Sequence, residues 1–237
     1  MKSRFALPLL MLAAAGLSCH AADFPRVGTL AQDEFHRLSQ DLGAAFSYKG
    51  VTPATSLGIT GFDVGIEVTD TKVENSRLFA LAGAGDQSHI VVPKFHVNKG
   101  LFAGLDIGAF IAGSPDISAS LYGADLRYAL MEDSLARPAI AMRISGTRAT
   151  GLGDLRVSTA AFDVMVSKRF TAITPYAGAG SVRVQSKVSG SALAEEKFNR
   201  SRVFGGLNVN LLAINLAFEA EKMGGNTSLS AKVGWRF

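Results

Sequence analysis

The chain has 237 residues, of which 48% are hydrophobic and 19% are charged, and its formal net charge at pH 7 is +4. This length fits one large domain or two small ones. The composition is too apolar for a disordered chain and too polar for a helical membrane protein. Since the positive charges form no cluster, the sequence gives no indication of a nucleic-acid partner.

The N-terminus has the pattern of a secretory signal peptide. A basic start precedes an apolar run over residues 5–17, which is shorter than the roughly 18 residues that cross a bilayer as a helix. We predict that residues 1–21 are removed by cleavage after Ala21, with the small residue Cys19 at the −3 position. Lipid attachment at Cys19 is the alternative. After cleavage no cysteine remains, so an exported protein must be held together without disulfides.

Residues 22–60 follow as a predicted periplasmic segment that contains one amphipathic helix, at about residues 30–42. Thr29 and Gln32 have the spacing of a capping box. We expect this helix to pack against one end of the domain that follows; a regulatory plug is the alternative. Its apolar side chains recur at helical spacing: Phe35, Leu38, Leu42 and Ala45.

From residue 61 to residue 237, apolar residues alternate with small or polar residues, which is the period of a β-strand. Strands of this length and pattern are typical of a transmembrane β-barrel. A soluble β-sandwich or lipocalin-like barrel predicts the same alternation, with the apolar face turned inward. Turn residues separate ten predicted strands, at about 61–72, 89–98, 101–112, 117–130, 138–149, 156–170, 174–187, 202–212, 214–223 and 227–237.

Three features favour the membrane interpretation. The non-apolar face is rich in Gly, Ala and Ser, and aromatic residues lie near predicted strand ends. The two longest connections, at about 73–88 and 188–201, both lie on the side opposite the C-terminus. We therefore predict an all-β, antiparallel, up-and-down transmembrane barrel of about ten strands, with eight or twelve as alternatives. The aromatic residues concerned are Phe170, Tyr176, Trp235 and Phe237.

The last predicted strand has apolar side chains at alternate positions and ends in an aromatic residue: Leu229, Ala231, Val233, Trp235 and Phe237. This pattern resembles the C-terminal signature of Gram-negative outer-membrane β-barrel proteins. The resemblance covers the architecture from about residue 61 to the end and assigns no subfamily. It implies a location in the cell outer membrane. It also implies two partners: outer-membrane lipid, and the barrel-assembly machinery that reads this strand during biogenesis.

Charged residues of both signs alternate to the predicted inward face. Because buried charges are tolerated only when paired, and a barrel of this size is narrow once side chains fill it, we expect ion pairs to close the lumen. This favours an envelope-structural role, with a narrow porin-like passage as the alternative. The inward charges are Asp63, Glu67, Asp106, Asp125, Arg127, Arg143, Asp163, Arg169, Arg183, Glu219, Glu221, Lys232 and Arg236.

The outer loops are where a catalytic or binding site would most naturally be built. Asp86, Ser88 and His89 are the best candidates for a rim hydrolase, but isolated residues of these types are common in loops, so we predict no enzyme. A loop enzyme, a surface binder and a soluble barrel with an apolar ligand are the alternatives. We expect no cofactor and no metal, since His89 and His96 lie on opposite strand faces.

Overall fold

The computed structural model describes residues 24–114, 116–117, 119–212 and 214–237. The predicted signal peptide and its cleavage site lie outside these residues. The described chain forms a closed antiparallel barrel in which every strand pairs with its neighbours in sequence and the first pairs with the last. The ten strands are β1 Phe62–Lys72, β2 His89–Gly100, β3 Leu105–Ser114, β4 Ala119–Met131, β5 Ala139–Thr150, β6 Leu155–Ser167, β7 Ile173–Val188, β8 Glu196–Leu211, β9 Ile214–Met223 and β10 Asn226–Arg236.

The predicted fold class and strand number are confirmed, and one connection is shorter than predicted. β7 extends to Val188 and β8 begins at Glu196, so residues 189–195 form the connection instead of residues 188–201. The extra residues of β8 keep the two-residue period, with Phe198 and Arg200 less exposed than Lys197 and the other odd-numbered residues of that stretch. β8 therefore continues beyond its last pair with β9, Arg202 with Met223, while β7 stays paired with β6 up to Val188.

In the described residues two α-helices accompany the barrel: α1 spans Gln32–Phe46 and α2 spans Ser76–Ala82. The predicted capping box is wrong, because the hydroxyl of Thr29 donates to the carbonyl of Arg26 at 2.8 Å. Instead, the Glu34 carboxylate accepts a hydrogen bond from the backbone N–H of Ala31 at 3.0 Å. In the described part of the chain, neither helix is long and apolar enough to cross a membrane.

The barrel has an apolar outer surface and buries charged side chains in its interior. Outward side chains such as Ile66 (58% exposed), Ile111 (66%) and Phe218 (55%) face the surroundings, whereas Arg143 and Arg202 are among the largest fully buried side chains. An apolar outer band around a polar interior is the arrangement of a transmembrane β-barrel. A soluble barrel with its apolar face inward, the alternative considered above, has the opposite arrangement.

The two ends of the barrel differ. We call the end where β1 begins and β10 finishes the C-terminal end, and the opposite end the loop end. Short connections lie at the C-terminal end, and the loop end has the longest one, residues 73–88, which contains α2. The backbone of Phe62 exchanges two hydrogen bonds with that of Phe237, at 2.7 and 3.0 Å. The last residue is therefore part of the closed wall.

The aromatic residues near the strand ends are placed mostly as predicted. Phe170, Trp235 and Phe237 are 61%, 62% and 75% exposed, as is expected of side chains at a membrane interface. Tyr176 is the exception, because it points into the lumen and is only 4% exposed. The four apolar members of the C-terminal pattern before Phe237 all face outward and are exposed: Leu229, Ala231, Val233 and Trp235.

Candidate functional site in the barrel lumen

α1 lies inside the barrel. Its first turn is exposed, but every residue from 41 to 46 is buried, including the acidic residue Asp41. α1 contacts at least six of the ten strands: β1, β5, β6, β7, β8 and β10. The expectation that this helix packs against an end of the barrel is therefore wrong, and the plug alternative matches the structure. We call α1 together with residues 47–60 the plug.

The plug runs through the full length of the barrel. At the loop end, the Gln32 side chain exchanges hydrogen bonds with the backbone of Ala194, at 2.9 and 3.2 Å. At the C-terminal end, the backbone N–H of Leu57 donates to the Asp106 carboxylate at 3.1 Å. Since β1 then begins at the C-terminal end, the residues before α1 lie at the loop end. There, the rings of Phe24 and Phe79 are 6.1 Å apart.

The loop-end half of the lumen, which we call the upper lumen, is closed by apolar packing. The apolar stretch of α2 covers the mouth, where Phe79 is fully buried. Gly43 lets α1 approach β7 closely, because a Cβ there would overlap the side chain of Val184. The largest apolar cluster of the described residues lies here and includes Phe35, Leu38, Leu42, Phe46, Phe79, Ile90, Leu152 and Leu155.

Asp41 is the polar exception within the upper lumen. Its carboxylate accepts hydrogen bonds from the backbone N–H groups of Glu74 (3.1 Å) and Asn75 (2.9 Å). It also accepts from the amide side chains of Asn226 (2.7 Å) and Asn75 (3.2 Å). A buried carboxylate with several donors is well satisfied. Asp41 therefore ties α1 to the β1–β2 connection and to the start of β10.

Below α1 lies the lower lumen, which is closed by charges and hydrogen bonds. Asp163 accepts from both Arg143 (3.0 Å) and Arg202 (2.8 and 2.6 Å). Arg202 also donates to Glu221 at 3.2 Å, and Lys49 of the plug lies 3.0 Å from the same carboxylate. These side chains are fully or almost fully buried. Charges of opposite sign thus neutralise one another across the lumen.

Much of this network is directed at the plug backbone. Arg202 donates to the carbonyl of Tyr48 at 2.7 Å, and Arg127 donates to the Thr52 hydroxyl at 2.7 Å and to the Pro53 carbonyl at 2.9 Å. An extended segment has no internal partners for its backbone groups. The wall residues supply those partners, so the segment and the wall form one hydrogen-bonded unit.

Two plug residues indicate how closely the segment fits. A Cβ at Gly50 would overlap the guanidinium of Arg143. Val51 is fully buried and has φ 45°, a left-handed conformation that a β-branched residue rarely adopts. Such strain costs of order 1–3 kcal/mol and persists only where the surroundings hold it. The contacts of the neighbouring residues with the wall hold this conformation.

The structure places the predicted lumen charges inward with two exceptions. Arg169 lies in the β6–β7 connection with its side chain 61% exposed, 4.0 Å from Asp133. Arg183 lies on the outward face of β7. The sequence was misleading here because Val182 and Val184 look like lipid-facing residues. They are in fact buried inside, where Val184 packs against α1.

Sequence reasoning also missed three polar groups of the site: Tyr48, Lys49 and Arg202. Tyr48 donates to Asp125. Lys94, which shares its strand face with His96, pairs with Glu67 at 2.6 Å. Tyr48 and Lys49 were missed because they belong to the plug, whose path no local pattern reveals. Arg202 was the first residue of a predicted strand, so it was not assigned to the inner or the outer face. Its neighbour Val203 points outward, which places Arg202 inward.

The predicted rim candidates do not come together. His89 is hydrogen-bonded to Asp70 at 2.9 Å, across β1 and β2. Asp86 and Ser88 are exposed, and no hydrogen bond joins Asp86, Ser88 and His89 among the residues that the structure describes. His96 faces the lumen, 3.6 Å from both Asp63 and Glu67. In the same described ranges no group of three His, Cys, Asp or Glu side chains is placed to hold a metal ion.

A closed barrel with an apolar exterior and a polar interior filled by its own N-terminal segment is a plugged transmembrane β-barrel. No protein-family model matches the chain, and no curated protein matches its sequence. Solved structures that match are barrels of low sequence identity. The translocator domain of the autotransporter NalP from Neisseria meningitidis is 12% identical, with TM-score 0.42, covering 86% of this chain and 95% of that chain.

Two further matches have similar statistics. The KdgM porin in complex with disordered oligogalacturonate is 6% identical, with TM-score 0.40, and the match covers 74% of this chain and 99% of that chain. Neisserial surface protein A is 12% identical, with TM-score 0.36, and the match covers 74% of this chain and 97% of that chain. Similarity at this level assigns no function, so the fold rests on the closed strand order of the chain itself.

Proposed function

We propose that this chain is an integral outer-membrane protein with an envelope-structural role, and that its barrel is closed at rest. In this proposal the leader is cleaved after Ala21 and the barrel-assembly machinery inserts the chain with Phe237 at the periplasmic side. The observation that carries the proposal is the plug, which occupies the lumen from one end to the other. An open porin-like passage would need this segment to leave.

The contacts of the plug support a closed state. Ions cross a barrel through a continuous aqueous path lined by polar groups. Here the charged groups that would line such a path, including Arg127, Asp163 and Arg202, already bond to the plug or to one another. Removing the plug would take away the backbone acceptors of Arg127 and Arg202 and the Lys49 partner of Glu221, which is costly. The resting barrel is therefore expected to conduct no ions.

The proposed orientation also revises the expected location of residues 22–60. With Phe237 at the periplasmic side, the loop end faces the cell exterior. The described N-terminus then emerges outside the cell, next to α2, rather than in the periplasm. The proposal gives Asp86, Ser88 and His89 no catalytic role, because they are not joined and His89 is engaged by Asp70.

The first test combines fractionation with a conductance measurement. We expect the protein in the outer-membrane fraction, with an unboiled form that migrates faster than the boiled form on an SDS gel. In planar bilayers the purified protein should give no conductance steps. Gly50→Ala, which pushes Arg143 off its position, should loosen the plug and produce intermittent steps. Stable conductance of the unaltered protein would contradict the proposal.

The matched control is Gly205→Ala. This glycine lies on β8, and the nearest atom to an added Cβ, the Tyr176 carbonyl oxygen, would be 3.7 Å away, an ordinary van der Waals contact. We expect this variant to migrate and to remain closed like the unaltered protein. Equal conductance in both glycine variants would mean that the steps do not come from the plug.

A further inference from the structure

The outward face of the barrel has an unusual basic sector near the loop end. Five exposed side chains on neighbouring strands form it, and we call them the basic patch: Arg148, Arg156, Arg183, Lys187 and Lys197. Towards the C-terminal end, the outward residues of the same strands are apolar, for example Ile144, Phe162 and Val164. The patch therefore lies at the border of the lipid-facing band, where lipid headgroups begin.

The patch contains a direct like-charge pair. Arg156 on β6 is paired in register with Lys187 on β7. Directly opposite residues have Cβ atoms about 4.5–5.5 Å apart, and like charges at such positions are destabilising. Arg183 lies two positions before Gln185 and four before Lys187 on the same face of β7, so the positive charge of this face continues along the strand. An anion bound between these cations would relieve their repulsion.

The protein itself supplies little negative charge here. Within the described ranges, no ion pair is found for Arg148, Arg156, Arg183 or Lys187. The nearby carboxylate of Glu195 is engaged, because Lys197 lies 2.7 Å from it and Gln185 donates to it. Glu196 is engaged by His36 and Gln32 of α1, and Asp154 is exposed in the β5–β6 connection. One exposed carboxylate cannot neutralise four cations.

An apolar groove of about 690 Å³ lies directly beside the patch on the membrane side. Its floor is a row of small residues in register across three strands, Ala124, Gly146 and Ala160. Bulky side chains border it, namely Leu126, Ile144 and Phe162. Arg183 is directly opposite Ala160, so a cation stands at the end of the groove. The groove is mostly apolar, which suits an acyl chain.

We propose that the basic patch and this groove bind a membrane glycolipid that has phosphate groups on its sugar headgroup and several acyl chains, which is the chemistry of lipid A. Guanidinium groups bind phosphate oxygens with paired hydrogen bonds, and the like-charge pair gives two cations for one phosphate. An acyl chain lies in the groove below. The site rests on the proposed orientation, which brings the loop end to the outer leaflet where such glycolipids are concentrated.

The test uses the full-length protein in neutral detergent micelles with added lipid A. The readout is the temperature at which the fast-migrating unboiled band is lost, followed as a function of lipid concentration. A ligand that binds only the folded state raises this temperature. The test variant is Arg156→Gln with Lys187→Gln. The matched control is Lys72→Gln with Lys222→Gln, which removes the same charge from outward lysines near the same end of the barrel, on β1 and β9.

We expect lipid A to raise the transition temperature of the unaltered protein and of the control. The test variant should bind lipid A roughly 10- to 30-fold more weakly, from the loss of two cations that face anionic headgroups. In micelles without lipid A it should be at least as stable as the unaltered protein, because the like-charge repulsion is relieved. This last result separates a binding defect from a folding defect.

Two other results would overturn the site. Equal lipid A affinity of the test variant and the unaltered protein would show that the patch does not bind it. Equal stabilisation by phosphatidylglycerol and lipid A would show that any anionic lipid suffices and that the glycolipid is not recognised. If the unaltered protein shows no heat-sensitive fast band, it is not a closed membrane barrel and the proposed function itself is wrong. A failure of the lipid site alone would leave the fast band present but not stabilised by lipid A.

Discussion

In the upper lumen, α1 is held by apolar side chains, whereas in the lower lumen the extended part of the plug is held by hydrogen bonds and ion pairs. Apolar packing is non-directional and tolerates small shifts. Charged hydrogen bonds fix particular atoms, and each buried charge depends on its partner. The upper lumen therefore seals the mouth, and the lower lumen fixes the path of the chain. Substitutions in the two regions should differ in kind as well as in size.

The largest effect is expected in the lower lumen. Asp163→Ala removes the shared partner of Arg143 and Arg202 and leaves two buried guanidinium groups underpaired. Breaking a buried pair from one side costs about 3–5 kcal/mol. We expect a loss of that size in urea unfolding in micelles, together with faster proteolysis of the plug.

The control for this substitution is Asp70→Ala, in an exposed pair with His89 whose side chains are 43% and 50% exposed. Exposed pairs contribute about 0–1 kcal/mol, so little change is expected. Equal losses in the two variants would mean that the central ion pairs do not hold the plug, and the comparison between the two regions would fail.

The second effect is expected in the upper lumen. Leu38→Ala creates a cavity beside a fully buried leucine, and such changes cost about 2–5 kcal/mol. Because no charge is left unpaired, we expect lower stability in urea unfolding but no conductance steps. Leu81→Ala is the control, since that α2 leucine is 41% exposed. Conductance in Leu38→Ala would show that the upper lumen, too, decides whether the barrel is open.

The barrel was predictable from the sequence because each strand carries its own signal. Alternation reports which residues share a face, and the ten strand positions follow from it. The plug was not predictable, because α1 has an ordinary amphipathic pattern at its start and its later burial comes from the surrounding wall. Asp41 and Ser39 look like solvent-facing residues, yet both are buried, since the lumen supplies polar partners such as Asn226.

The error at Arg183 has a related origin. Alternation divides a strand into two faces but does not say which face is inside when the lumen itself contains apolar residues. Val182 and Val184 face α1, so the apolar face of this part of β7 is the inner one and Arg183 is turned outward. The basic patch was hidden by that inversion, and only the closed strand order with its register brings Arg156 opposite Lys187.

The smallest effect is expected at Asp41, which makes polar contacts within the otherwise apolar upper lumen. Asp41 is a polar anchor among apolar contacts, and Asp41→Asn keeps its shape while replacing one accepting oxygen by a donor. That donor would face Asn75 and Asn226, which donate at present, so we expect a loss of about 1–3 kcal/mol.

Asp33→Asn is the control for this substitution, because the Asp33 side chain is 67% exposed and pairs with Arg37 on the same helix. A lower free energy of unfolding in urea for Asp41→Asn alone, without conductance steps, would place a directional anchor at the mouth. If both variants behave like the unaltered protein, apolar packing alone holds α1. The upper lumen would then differ from the lower lumen still more sharply than the contacts indicate.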